Sequence, residues 1–180
     1  MLHYQQMRRH NIILLLALWT ASSCTQPNQA FTKLIQESPY TVVMFIAPDC
    51  PMCKTLSTPY SELAEAYPEI QFIAVLSGKH YEAMELNMFA TSTKLKACIF
   101  RDYDYEVAHQ LGASVTPEFF VTDRDANVLY QGMMDDRLLE LGNYKQKWDK
   151  HYLKNALDAI LRRETPSPAK TDAVGCILEY

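Results

Sequence analysis

The stretch that decides the fold lies at residues 42–54 and reads Val-Val-Met-Phe-Ile-Ala-Pro-Asp-Cys-Pro-Met-Cys-Lys. Its first part, residues 42–46, is an uninterrupted apolar run of the kind that forms a buried strand. Beyond the two cysteines, apolar residues recur at the spacing of one helical face, at Leu56, Tyr60, Leu63 and Tyr67. The pattern predicts a strand followed by a helix, with a Cys-x-x-Cys at the junction.

The predicted helix start is a suitable place for thiol chemistry. Cys50 falls at the N-cap and Pro51 at the first helical position, where the missing N–H of proline costs nothing. The unpaired N–H groups and the positive end of the helix dipole stabilise a thiolate on Cys50. Cys53, one turn further, is the expected resolving thiol. Lys54 favours the thiolate and Asp49 opposes it, so the sequence leaves the net effect on the pKa of Cys50 open.

A structural zinc half-site is the alternative interpretation of the Cys-x-x-Cys. Such a site usually needs a second Cys or His pair at short spacing. The other candidate ligands stand apart from one another in the sequence, at His80, Cys98, His109, His151 and Cys176. We therefore favour redox chemistry and predict no metal site.

The N-terminal residues 1–23 have the pattern of a targeting segment. Arg8 and Arg9 supply a positive charge, and residues 12–19 form an apolar run too short to span a bilayer. Small residues then precede Cys24, as in a bacterial lipoprotein signal, in which the cysteine becomes the lipid-bearing N-terminus. We expect export to the periplasm or cell envelope, with lipidation at Cys24. Plain secretory cleavage and a retained N-terminal anchor are the alternatives.

The composition indicates one globular domain. With 180 residues, 48% of them hydrophobic, the chain can bury an adequate core, and its net charge of −4 argues against nucleic acid as a partner. We place a tether at residues 24–30, the domain at 31–163 and a C-terminal extension at 164–180. Prolines at 166 and 168 predict that the extension begins as an extended linker. We expect a monomer.

After the cysteine helix, strand and helix patterns alternate. The predicted elements are a strand at 70–76, a helix at 81–95, a strand at 97–100, a short helix at 105–111, a hairpin of strands at 119–122 and 128–131, and a helix at 151–163. A Thr-Pro pair, Thr116 and Pro117, stands immediately before the hairpin. Residues 133–150 are irregular and predict a loop on the side of the cysteines.

Three stretches, residues 45–53, 111–121 and 123–136, resemble the thioredoxin superfamily. Within it, the order of elements is similar to the redoxin branch, which includes TlpA/ResA-like thiol-disulfide oxidoreductases and AhpC/TSA-type domains. The resemblance covers residues 31–162. It implies an α/β protein with a thioredoxin-like fold, a central mixed β-sheet flanked by helices. The long interval between Cys50 and Pro117 fits a redoxin-type strand–helix insertion.

The resemblance also implies a mechanism. Cys50 exchanges disulfides with a partner and Cys53 resolves the mixed disulfide, without a cofactor. Pro117 is expected to be cis and to face the cysteines, which leaves the backbone of Thr116 free to pair with an extended substrate. The expected partners are cysteine-containing exported proteins and a redox partner protein.

Some residues typical of thioredoxins and peroxiredoxins are missing from this sequence, and their absence bears on the alternative functions. Met44 stands where thioredoxins carry a buried acid, and Asp49 where they carry a Trp. The Pro and Thr that precede the peroxidatic cysteine of peroxiredoxins are replaced by Ala47 and Val43, so a thiol peroxidase is a weak alternative. A Sco-like copper chaperone is the other one, although its cysteines are spaced differently and no histidine is anchored in a motif.

Two cysteines stand outside the Cys-x-x-Cys and the signal. Cys98 and Cys176 can pair as a structural disulfide if the protein is exported. The alternative for Cys98 is a buried core thiol. The alternatives for Cys176 are a resolving thiol that visits Cys50 or a free thiol.

Overall fold

The computed structural model describes residues 31–140 and 143–180, so the predicted signal, the tether and Cys24 lie outside the described residues. The helices are α1 Phe31–Ile35, α2 Pro51–Ala66, α3 Ala83–Thr93, α4 Glu106–Leu111 and α5 Tyr152–Leu161. The strands are β1 Tyr40–Phe45, β2 Gln71–Ser77, β3 Cys98–Asp102, β4 Val115–Thr116, β5 Glu118–Asp123, β6 Val128–Gly132, β7 Leu138–Glu140, β8 Asn143–Tyr144 and β9 Cys176–Ile177.

Strand β1 lies in the middle of a five-stranded mixed sheet with the order β3-β2-β1-β5-β6. It runs parallel to β2, which is parallel to β3, and antiparallel to β5. The unit α3–β3 follows β2 and supplies the edge strand, so the additional strand–helix unit between Cys50 and Pro117 is present. The predicted α/β architecture, a mixed sheet flanked by helices, is confirmed.

The central strand β1 is covered on both faces of the sheet, and its residues from Thr41 to Phe45 are all buried. Val42 and Met44 belong to one hydrophobic cluster, whereas Val43 and Phe45 belong to the cluster on the opposite face. This explains the uninterrupted apolar run of the sequence, which is typical of a strand covered on both sides.

Helix α2 is anchored to the sheet by a fully buried tyrosine. The hydroxyl of Tyr60 donates hydrogen bonds to the carbonyls of Val42 (3.0 Å) and Ile73 (2.7 Å), on two neighbouring strands. Its ring packs edge-on against Phe72, with the ring centroids 5.2 Å apart. The helix continues through Pro59, as the packing of both halves predicts.

The extended linker predicted at the start of the C-terminal extension is wrong, because this segment pairs with the sheet. The N–H of Gln131 in β6 donates to the carbonyl of Ala169 (3.0 Å), and the N–H of Thr171 donates to the carbonyl of Gln131 (2.9 Å). Gly132 permits this approach, since a Cβ on it would stand 2.1 Å from the hydroxyl oxygen of Thr171. The extension is thereby carried along the edge of the sheet to β4, where β9 pairs.

The irregular segment predicted after β6 contains two short paired strands, β7 and β8. It lies beside the cysteine helix, since the hydroxyl of Tyr144 is 3.3 Å from that of Thr55 on α2.

Within residues 31–140 and 143–180, no helix combines the length and apolarity needed to cross a bilayer.

Candidate functional site

The two cysteines of the Cys-x-x-Cys lie at the start of α2, as predicted. Cys50 is the N-cap, with extended backbone angles, and Pro51 is the first helical residue. The carbonyl of Cys50 accepts the N–H of Lys54 at 3.2 Å, so the first helical turn closes around the pair. Both cysteines are free thiols, and their exposed fractions are only 2% for Cys50 and 0% for Cys53.

Cys53 has the surroundings of a protonated, resolving thiol. Its burial, together with its hydrogen bond to Cys50, raises the pKa of Cys53 well above the ordinary value for a cysteine. The backbone N–H of Ala47 donates to its sulfur at 3.4 Å and partly offsets this effect. The proton therefore remains on Cys53 while Cys50 ionises.

The Thr116–Pro117 peptide bond is cis, which confirms the prediction for this proline. The bond brings the end of β4 to the cysteines, and the Sγ of Cys50 lies 3.1 Å from the carbonyl oxygen of Thr116. Thr116 and Pro117 thus stand beside the reactive sulfur, although 66 residues separate Cys50 from Thr116 in the chain.

A third thiol completes the site. The Sγ of Cys176, in β9, lies 2.7 Å from the Sγ of Cys50 and donates a hydrogen bond to it. Strand β9 runs antiparallel to β4, with Cys176 paired to Thr116 and Ile177 paired to Val115. Cys50 therefore has two thiol neighbours, one on its own helix and one from the end of the chain.

The predicted Cys98–Cys176 disulfide is wrong. Cys176 is a free thiol, whereas Cys98 is disulfide-bonded. The topology explains the error: Cys98 lies on the edge strand β3, level with Ile73 of β2 and so with the middle of β1, whereas Cys50 and its neighbour Cys176 lie beyond the carboxyl end of β1. The alternative of a buried core thiol at Cys98 fails as well.

The environment of Cys50 favours its thiolate. Hydrogen bonds from the thiol of Cys53, the thiol of Cys176 and the backbone N–H groups of Cys53 and Met52 lower the pKa of Cys50 from 9.0 to about 5, against the opposing effect of burial. The carbonyl of Thr116 can accept only from the protonated thiol and so opposes ionisation, but it is one group against several donors. The net effect, which the sequence left open, is a stabilised thiolate.

Cys176 is held in the opposite protonation state. Burial, its hydrogen bond to Cys50, and the charges of Cys50 and Asp49 raise the pKa of Cys176 to about 12. Asp49 itself accepts a hydrogen bond from the hydroxyl of Tyr81 at 2.5 Å. A proton placed on Cys176 thus serves as the donor that stabilises the thiolate of Cys50.

Sequence reasoning missed a buried acid that supports the Thr-Pro segment. Glu118 directly follows the cis proline, and its two carboxylate oxygens accept hydrogen bonds from the backbone N–H of Ser114 (2.8 Å) and the side-chain amide of Gln131 (2.9 Å). It ties the chain before β4 to strand β6 and so acts as a positioning residue. The sequence feature that could have identified Glu118 is a charged residue at the start of an otherwise apolar strand.

Among the residues that the structure describes, no three His, Cys, Asp or Glu side chains are grouped so as to hold a metal ion. The free thiols of Cys50, Cys53 and Cys176 instead form a hydrogen-bonded cluster around the Sγ of Cys50. This arrangement suits thiol–disulfide exchange, because the donors around Cys50 favour its thiolate, the form that attacks a disulfide.

Comparison with known proteins places the chain in a family. A family model described as a thioredoxin-like domain matches residues 27–145. The chain has no significant match among curated proteins.

Solved structures support the same fold. A hypothetical protein from Sinorhizobium meliloti superposes with a TM-score of 0.70 at 23% identity, over 82% of each chain. An uncharacterized conserved protein from Geobacillus kaustophilus superposes with a TM-score of 0.69 at 26% identity, over 79% of this chain and 78% of that one. A thioredoxin-like protein in the oxidized form gives 0.55 at 15% identity, over 77% of this chain and 88% of its own.

Proposed function

The chain belongs to the thioredoxin-like domain family, and from this we propose that it is a thiol-disulfide oxidoreductase that uses Cys50 and Cys53. The observation that carries the proposal is the position of the two free thiols at the start of α2, with the Sγ of Cys50 3.1 Å from the carbonyl oxygen of Thr116, which precedes the cis proline. A low thiol pKa at a helix N-terminus is the physical requirement for rapid exchange at neutral pH. No cofactor is required.

The proposed reaction has two steps. The thiolate of Cys50 attacks one sulfur of a substrate disulfide, forms a mixed disulfide and releases the other substrate sulfur as a thiolate. Cys53 then loses its proton and attacks the Sγ of Cys50, which releases the second substrate thiol and leaves a Cys50–Cys53 disulfide. The same steps in reverse oxidise a dithiol substrate, and the reduction potential determines the direction.

We further propose that the protein works in the cell envelope, on cysteine-containing exported proteins and with a redox partner protein. The supporting observation is the sequence of residues 1–23 and the small residues before Cys24. Membrane fractionation of the wild type and of Cys24→Ser tests the lipid anchor. A wild-type protein that stays in the soluble fraction after export contradicts lipidation.

The decisive experiment is a redox titration of the full chain, purified in detergent, against buffers of reduced and oxidised glutathione. Thiols are trapped at each ratio and located by peptide mass mapping under non-reducing conditions. We expect Cys50 and Cys53 to lose their thiols together and reversibly, as a two-electron couple. If neither cysteine changes over the accessible range of potentials, the proposed function is wrong.

A further inference from the structure

The last residues of the chain occupy the place at which the fold accepts an extended partner. We define the tail as residues 175–180. Within it, β9 pairs with β4 in antiparallel register, and the N–H of Leu178 donates to the carbonyl of Ser114 at 2.9 Å. The tail therefore forms main-chain hydrogen bonds with the segment that leads into the cis proline, as an added strand does in peptide recognition.

The register places a sulfur where the reaction needs one. Cys176 pairs with Thr116, the residue whose carbonyl lies 3.1 Å from the Sγ of Cys50. As a result, the two sulfurs are 2.7 Å apart, compared with about 2.05 Å in a disulfide bond. Cys176 stands as the cysteine of a bound substrate would stand.

The residue before this cysteine permits the close approach. A Cβ on Gly175 would stand 2.5 Å from the carbonyl oxygen of Thr116 and 2.8 Å from its carbonyl carbon. These are backbone atoms, which cannot move aside without displacing β4. A larger residue at position 175 would therefore lift the tail from the site.

The tail also covers the reactive sulfur, and besides its short strand it is held by Leu178 and by the ring of Tyr180, which packs against Tyr105 and His109. Cys50 is only 2% exposed although it lies at the start of a helix, and Val174 and Cys176 pack against the cluster that contains it. By contrast, the side chain of Ile177 is 79% exposed and β9 has only two residues. A strand this short can separate from β4 without disturbing the main sheet.

We propose that the tail is an internal substrate, and that Cys176 is a third redox cysteine that forms a disulfide with Cys50. The proposal rests on the function proposed above for Cys50 and Cys53. In the oxidised protein, Cys176 gives up its proton and attacks the Sγ of Cys50, which breaks the Cys50–Cys53 bond and returns a proton and the electron pair to Cys53. The step exchanges one disulfide for another and needs no external oxidant. An external substrate must displace β9 to reach Cys50.

The first test traps the internal disulfide. In Cys53→Ser, glutathione disulfide should convert Cys50 to a glutathione adduct, which Cys176 then resolves with release of glutathione. Peptide mapping should find the Cys50–Cys176 link as the main oxidised product, and Cys53→Ser/Cys176→Ser should retain glutathione on Cys50. A Cys53→Ser protein in which Cys50 carries only glutathione, or stays reduced, overturns the proposal. Cys53→Ala serves if the serine variant does not fold.

The second test measures the cover over Cys50 in the reduced protein with wild-type cysteines. At a pH above 9.0, where Cys50 is ionised even without the hydrogen bond from Cys176, Gly175→Val should make Cys50 react severalfold faster with iodoacetamide, because the added side chain separates the tail from β4. Ile177→Ala is the matched control, since it alters an exposed side chain of the same strand, and it should react at the wild-type rate. An unchanged rate in Gly175→Val overturns the proposal.

The two proposals can fail separately. A wild-type protein whose Cys50–Cys53 pair cycles, but whose Cys53→Ser variant never forms the link to Cys176, keeps the proposed function and loses the internal substrate. A wild-type protein in which neither Cys50 nor Cys53 responds to glutathione loses both.

Discussion

Cys50 has two thiol neighbours, and the chain holds them in different ways. Cys53 is three residues away on α2, a helix fastened to two strands through the hydroxyl of Tyr60. Cys176 is 126 residues away in the chain, on a two-residue strand that ends in exposed side chains. One neighbour is fixed by local helix geometry and deep packing, and the other by a short main-chain pairing.

The difference suggests a division of roles around a single sulfur. A partner that is always within reach suits the resolving step, which must be faster than loss of the mixed disulfide. A partner on a short strand, such as Cys176, can separate from Cys50 and so regulate the access of an external substrate to that sulfur. Both donate hydrogen bonds to Cys50, and this shared property gives the thiolate its low pKa.

The largest effect is expected at the sulfur that the two neighbours share. Cys50→Ser should abolish disulfide exchange, because neither Cys53 nor Cys176 has a comparably lowered pKa. Reduction of a model protein disulfide by the reduced enzyme measures the loss. Full exchange activity in Cys50→Ser would remove Cys50 from the mechanism.

The next largest effect is expected at Tyr60, which anchors the helix that carries Cys53. Tyr60→Ala should lower the free energy of unfolding by about 3–5 kcal/mol, because it empties a fully buried site and removes two hydrogen bonds. Tyr60→Phe retains the ring and should cost about 1–2 kcal/mol through the lost hydroxyl. Denaturant unfolding of the reduced proteins measures both. Equal stabilities for the alanine and phenylalanine variants would show that the ring does not anchor α2.

A smaller effect distinguishes Cys53 from Cys176 by how strongly each lowers the pKa of Cys50. Each donates a hydrogen bond to the thiolate, so removing either donor should raise the pKa of Cys50 from about 5 towards 9.0. The shift should be larger for Cys53→Ala than for Cys176→Ala, because Cys53 makes the greater contribution. The ultraviolet absorbance of the thiolate as a function of pH gives the value, with its inflection moved to higher pH. The reverse order would make the tail, rather than the helix, the main source of the thiolate.

The smallest effect is expected at the end of the tail. The ring of Tyr180 stacks on His109 with centroids 4.3 Å apart, but the residue is 57% exposed. Tyr180→Ala should lower the free energy of unfolding by about 0.5–1 kcal/mol while raising the rate at which Cys176 is alkylated. Tyr103→Ala, at another exposed tyrosine, is the control and should leave that rate unchanged. A rate equal to wild type in Tyr180→Ala would show that the stacking does not hold the tail.

Much of the fold and half of the site could be predicted because they depend on local patterns. The apolar run before Cys50, the proline after it and the helical spacing that follows are short-range features, and they locate β1 and α2 without reference to the rest of the chain. The cis bond at Thr116–Pro117 was implied by the resemblance to the thioredoxin superfamily. The second half of the site, at Cys176, depends on where the end of the chain lies, and no local pattern specifies this.

The wrong disulfide prediction also shows that local sequence patterns do not specify which distant residues come together. Pairing Cys98 with Cys176 required the two to be neighbours, but the strand order and register place Cys98 on the edge strand, level with the middle of β1, whereas Cys176 lies beside Cys50 past the end of β1. The role of Glu118 was missed for a similar reason, since its partners Ser114 and Gln131 come together only when β6 folds back beside β5.

By itself, the sequence determined that a Cys-x-x-Cys begins a helix after a buried strand, and that a Thr-Pro pair precedes a hairpin. Helix starts, caps and apolar periodicity are set by residues a few positions apart, so they can be read directly. Only the tertiary structure decided that Cys176 faces Cys50, that Cys98 does not, and that the chain's own end covers the reactive sulfur. The contact between Cys176 and Cys50 joins residues 126 positions apart, and such contacts follow from strand order and register.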